Sequence, residues 1–176
     1  MSGNDPKGDE DVLLRWIEAN ASSSDIDDIR IVANWLRSIA TPDDWHRAII
    51  DLNWDYGTAP FLWIARQQRC EKATALTIFY LAGPGDMLQY GNDREKVPGW
   101  RREVFDLVAE VRARFCDGFY KTETIAFDVN LSFRHISNQA YLPANEPLEI
   151  FPEVMREPIS GRILATKYDF EPERWL

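Results

Sequence analysis

Apolar residues recur at helical spacing from Val12 to Phe115 and then lose that period. Beyond about residue 130, Pro143, Pro147, Pro152, Pro158 and Pro172 interrupt every stretch that could continue as a helix. A proline inside a helix removes a backbone donor and clashes with the preceding turn. The chain is therefore expected to be mainly α. Antiparallel stacked helices should form one domain over residues 10–130, with an irregular Pro-rich tail over 131–176. The tail keeps Leu148, Ile150, Phe151, Ile163, Leu164, Phe170 and Trp175. That apolar content predicts a tail packed on or near the domain.

The helix signals follow in order. Residues 1–9 read as an unstructured leader of Gly, Asp and Pro. Val12, Leu13, Trp16 and Ile17 mark a first stripe. Ser24 is an N-cap candidate for a second helix carrying Ile26, Ile29, Val32, Leu36 and Ile39. Thr41-Pro42-Asp43-Asp44 combines a cap, a proline at the first helical position and acids facing the positive end of the helix dipole. Trp45, Ala48, Ile49 and Leu52 form the stripe of that third helix. Pro60 opens a short helix through Ala65, and another runs from about Glu71 to Ala82, stopped by Gly83-Pro84. A short helix over Asp86–Tyr90 and a polar loop over Gly91–Gly99 lead to the longest stripe. It consists of Trp100, Val104, Leu107, Val108, Val111 and Phe115, closed by Gly118. The short links between these segments favour antiparallel neighbours. Trp16, Leu36, Trp45, Ile49, Trp54, Leu76, Phe79, Leu107, Val108 and Val111 are the expected core.

The formal net charge is −9, and it is not spread evenly. Residues 1–30 hold eight acids and three bases, and residues 143–176 hold seven acids and four bases, whereas 31–142 is nearly balanced. Binding to a nucleic-acid backbone needs clustered Lys and Arg, so nucleic acid is not an expected partner. A basic protein would be attracted. Met1 to Asp11 is acidic and polar, and no apolar run approaches the ~18 residues of a membrane span. With two cysteines and no disulfide framework, the expected setting is the cytoplasm, away from membranes.

Few residues point to chemistry. Asp51 and Asp55 stand one helical turn apart and could form a carboxylate pair or a cation site. The competing reading has Asn53 and Asp55 capping backbone N–H groups at a helix junction while Trp54 fills the core. Cys70 precedes a helix, where a dipole can lower a thiol pKa, but a nucleophilic cysteine needs a base. His46, expected to be partly exposed, and His135 are the only histidines. Neither stands at zinc-ligand spacing from Cys70 or Cys116, so no metal or cofactor is expected. The chain carries no P-loop, G-x-S-x-G elbow or H-E-x-x-H motif. No catalytic residue is assigned. The expected function is a non-catalytic protein-binding module for a basic partner, with Asn53, Trp54, Asp55, Tyr141 and Trp175 as candidate contacts. A small enzyme using Asp51, Asp55, His46 or Cys70 is the alternative.

The block Asn53–Tyr80 resembles a bacterial domain-of-unknown-function family, number 4274. The resemblance rests on Asn53-Trp54-Asp55-Tyr56-Gly57, on Trp63-Ile64, and on Cys70 followed by Thr74-Ala75-Leu76 and Phe79. A second patch, Gly118-Phe119-Tyr120 with Ile125–Asp128, is similar to the family as well, so the likeness spans about residues 45–130. It implies a small helical bacterial protein and brings over no catalytic residues. By analogy, an immunity protein or an adaptor is a specific case of the expected binding role.

Overall fold

The computed structural model describes residues 6–128 and 149–164. Among them are seven α-helices: α1 Pro6–Ala19, α2 Ile26–Ser38, α3 Pro42–Asp51, α4 Ala59–Arg66, α5 Lys72–Ala82, α6 Gly85–Tyr90 and α7 Arg102–Cys116. The described part is mainly α, as expected. Its only extended pairings are three isolated bridges. The residues fall into two compact units, one within Met1–Gln67 and the other within Gln68–Leu164.

In the first unit α1 packs on α4 and α2, and α2 also touches α4. Helix α1 starts at Pro6, so residues 6–9 are helical rather than unstructured. Proline suits that position because its missing N–H would have no partner in the first turn. Helix α2 begins after Asp25 instead of Ser24, and no side chain caps it. Its buried face is Ile29, Ala33, Trp35 and Leu36. Ile39, expected on that face, is the C-cap and is half exposed, because the helical phase ends at Ser38. Helix α3 starts as the sequence dictates. The Thr41 side chain accepts from Asp44 N–H, and the Asp44 carboxylate accepts from Thr41 N–H at 2.9 Å, a reciprocal capping box. Trp45, Ala48 and Ile49 are buried beneath it, with Trp45 edge-on to Trp63 at 5.7 Å.

In the second unit α5 packs on α7. Every residue from Ala73 to Phe79 is buried, so α5 is enclosed on all sides. The hydroxyl of Thr77 is satisfied locally by donating to Ala73 C=O at 2.8 Å. Helix α5 stops at Gly83, whose φ of 78° lies in the region that side chains disfavour. Helix α7 buries one stripe: Phe105, Leu107, Val108, Val111 and Phe115. Segment 149–164 belongs to this unit. Phe151 stands edge-on to Phe79, Tyr80 O–H donates to Met155 C=O at 3.1 Å, and Phe127 bridges Ile159. Phe151 and Met155 are fully buried. The remainder of the expected 131–176 tail lies outside the described residues.

Nine of the ten expected core residues are buried; Trp54 is half-buried.

Candidate functional site

The Asn53–Gly57 turn is built from local chemistry. Helix α3 ends at Asp51, and Leu52 turns the backbone into the extended region. Asn53 Oδ1 then accepts from Asp55 N–H at 2.9 Å, nucleating a single 3-10 turn over Trp54–Tyr56. Trp16 Nε1–H donates to Tyr56 C=O at 2.7 Å and ties the turn to α1. The Trp54 ring lies flat on Phe61 with centroids 3.7 Å apart, and the residue is half-buried. Capping thus falls to Asn53 alone. Asp55 is exposed, and among the described residues its carboxylate accepts no backbone N–H.

Of the four groups considered for catalysis, burial works against His46 and Cys70. Asp51 is half-buried, and desolvation raises its carboxyl above the usual range. His46 is buried rather than partly exposed, because its position in α3 faces the same side as Ile49. Burial lowers its pKa to about 4, an effect opposed by the charge of Asp43 and assisted by that of Arg47. At neutral pH it is an uncharged, weakly basic imidazole. Cys70, in the second unit, is fully buried, and its thiol is pushed up by desolvation and by the neighbouring Glu71 carboxylate. A nucleophile needs the reverse shift. Among the described residues no three His, Cys, Asp or Glu side chains gather in a way that could hold a metal. No helix there is long and apolar enough to cross a membrane. Tyr141, Trp175 and His135 lie outside the described residues.

The second unit contains three side chains whose placement the sequence pattern did not reveal. Glu71 is the N-cap of α5 and is buried. Its two oxygens accept from Thr124 N–H at 2.9 Å and from Thr124 Oγ1–H at 2.7 Å. Asp86 is also buried and accepts from Arg101 Nε at 2.7 Å. Next to that ion pair stands Trp100, expected in the core stripe of α7 and found 80% exposed. The reason is a change of backbone. Gly99–Arg101 form a 3-10 turn and α7 begins only at Arg102, so Trp100 is out of phase with Val108 and Val111.

Ion pairs and hydrogen bonds brace the turn carrying Trp100. Arg94 makes a two-pronged contact with Asp106 of α7, at 2.7 and 2.8 Å. Arg102 donates back to Val97 C=O at 3.0 Å and Glu95 C=O at 3.1 Å. Arg112 Nη2 reaches Asn92 Oδ1 at 2.8 Å. Val97 is buried beneath these contacts. The Arg101 guanidinium lies over the Trp100 ring, 5.2 Å from its centroid. Pro98-Gly99 just before the tryptophan was the available signal, since such a pair starts a turn instead of a helix interior.

No curated protein and no solved structure matches the chain. From the residue before the Thr41 cap to the last residue of α7, residues 40–116 match the family model of Domain of unknown function (DUF4274).

Proposed function

We propose that the protein is a non-catalytic protein-binding module, with the Trp100 turn as the anchor of its interface and a basic protein as its partner. An immunity protein or an adaptor would be specific forms of this role. The observation that carries the reading is the exposure of Trp100 on a clamped turn. Six tryptophans lie among the described residues, and Trp100 alone is mostly exposed. A rigid aromatic side chain loses little conformational entropy on binding and buries a large apolar area, so tryptophan is enriched among interface residues that dominate affinity. The net charge of −9 favours encounter with a positively charged partner. The buried, protonated Cys70 thiol and the uncharged His46 argue against the enzymatic alternative.

The test is affinity capture from cells that make the protein, comparing the wild type with Trp100→Ala. The expected result is a stoichiometric complex with a basic protein, weakened by salt and weakened further by the substitution. A complex that Trp100→Ala leaves unchanged would remove the turn from the interface. Absence of any stoichiometric complex would overturn the binding role itself.

A further inference from the structure

The Trp100 turn carries charge in an order that specifies what can dock on it. Residues 86–106 contain five acids and four bases. All four bases are paired within the segment. Arg94 binds Asp106 at 2.7 Å, Lys96 binds Asp93 at 3.0 Å, Arg101 binds Asp86 at 2.7 Å, and Arg102 binds Glu95 at 3.3 Å. Glu103 remains. It is exposed, and it has no ion-pair or hydrogen-bond partner for its carboxylate among the described residues. It follows Trp100 by three positions along backbone that is helical at both Arg101 and Arg102, so the two side chains emerge on the same side, one turn apart. One face of the indole is covered by the Arg101 guanidinium, whose charge is neutralised by Asp86. The rest of the ring is open to solvent.

We infer that Trp100 and Glu103 together form a receptor for a single cationic side chain, an arginine or lysine presented by the basic protein partner. The inference rests on the binding role proposed above and specifies its chemistry. An indole face attracts a cation through its electron-rich π cloud, and an unpaired carboxylate one turn away supplies a counter-charge. Among the described residues Glu103 has no ion pair or hydrogen bond to give up in doing this. An acidic side chain would meet Glu103 with like charge. A neutral apolar one would leave the carboxylate unused.

The probe is a short peptide containing one arginine among neutral residues, with its citrulline isostere and its glutamate counterpart as comparisons. The full chain is labelled with 5-fluorotryptophan, and the Trp100 fluorine signal is identified from its loss in Trp100→Phe. The expected result is a saturable shift of the Trp100 signal with the arginine peptide. Glu103→Gln should weaken that binding by up to about fivefold, the range of an exposed ion pair. The citrulline and glutamate peptides should bind more weakly still. Glu103 is exposed and its carboxylate has no polar partner among the described residues, so Glu103→Gln tests the carboxylate with little effect on the fold. Equal shifts from the arginine and citrulline peptides, or no effect of Glu103→Gln, would overturn the cation receptor. If in addition Trp100→Ala still abolished the partner complex, the binding role would stand with a different recognition chemistry.

Discussion

Acidification should destabilise the protein through His46, and the size of the effect follows from its burial. The imidazole is 7% exposed within α3, and its pKa is lowered from 6.5 to about 4. Unfolding returns the ring to water, where it binds a proton near pH 6.5. Between pH 6.5 and 4 the unfolded chain therefore binds more protons than the folded one, and stability falls as pH falls through that window. A depression of two and a half pH units corresponds to about 3 kcal/mol when fully expressed, with about 2 kcal/mol lost by pH 5. That is a large share of the ~5–15 kcal/mol typical of a domain. Asp51 acts in the opposite direction, since its raised carboxyl favours the folded state as acid is added. The assay is urea unfolding at pH 7, 6 and 5 in a His135→Gln background, which removes the second histidine from the titration. His46→Gln in that background should show a much flatter dependence than the parent, whatever its own stability at pH 7. Parallel pH dependences for the two proteins between pH 7 and 5 would refute the assignment of a buried, neutral His46.

Three further outcomes are expected. Asn53→Ala should cost about 1 kcal/mol by removing the acceptor for Asp55 N–H, while Asp55→Ala should stay within about 0.5 kcal/mol, as read from thermal or urea unfolding. Gly161→Ala should destabilise the second unit by about 1–3 kcal/mol, because a Cβ there would lie 2.5 Å from the Thr124 carbonyl oxygen; hydrogen exchange should accelerate at Arg162 N–H, which donates to that oxygen. In the native protein a thiol reagent should modify exposed Cys116 well before buried Cys70, and both should react at once in denaturant; rapid native labelling of Cys70 would contradict its enclosure.

Helix ends were readable where the determining chemistry is local. Thr41 and Asp44 are three residues apart and satisfy each other, so the start of α3 is written in four consecutive residues. Gly83-Pro84 ends α5 in the same way. The turn at Asn53 was half readable: two residues with capping side chains stand there, and only the geometry decides that Asn53 accepts and Asp55 does not. The family likeness holds across the first block, while the second patch at Gly118–Asp128 lies beyond the matched residues 40–116. Glu71 was unreadable for another reason. Its partner Thr124 is 53 residues away, and a carboxylate at the start of a helix is ordinarily a solvated one. Trp100 marks the deeper limit. A periodic pattern records which side chains could share a face, and Trp100 stands four positions before Val104 as a core residue would. A single 3-10 turn before α7 takes it out of phase and leaves it in water. Core positions are defined by partners that sequence spacing can suggest. Exposure is set by the path of the backbone, and only the folded arrangement shows which tryptophan that path leaves in water.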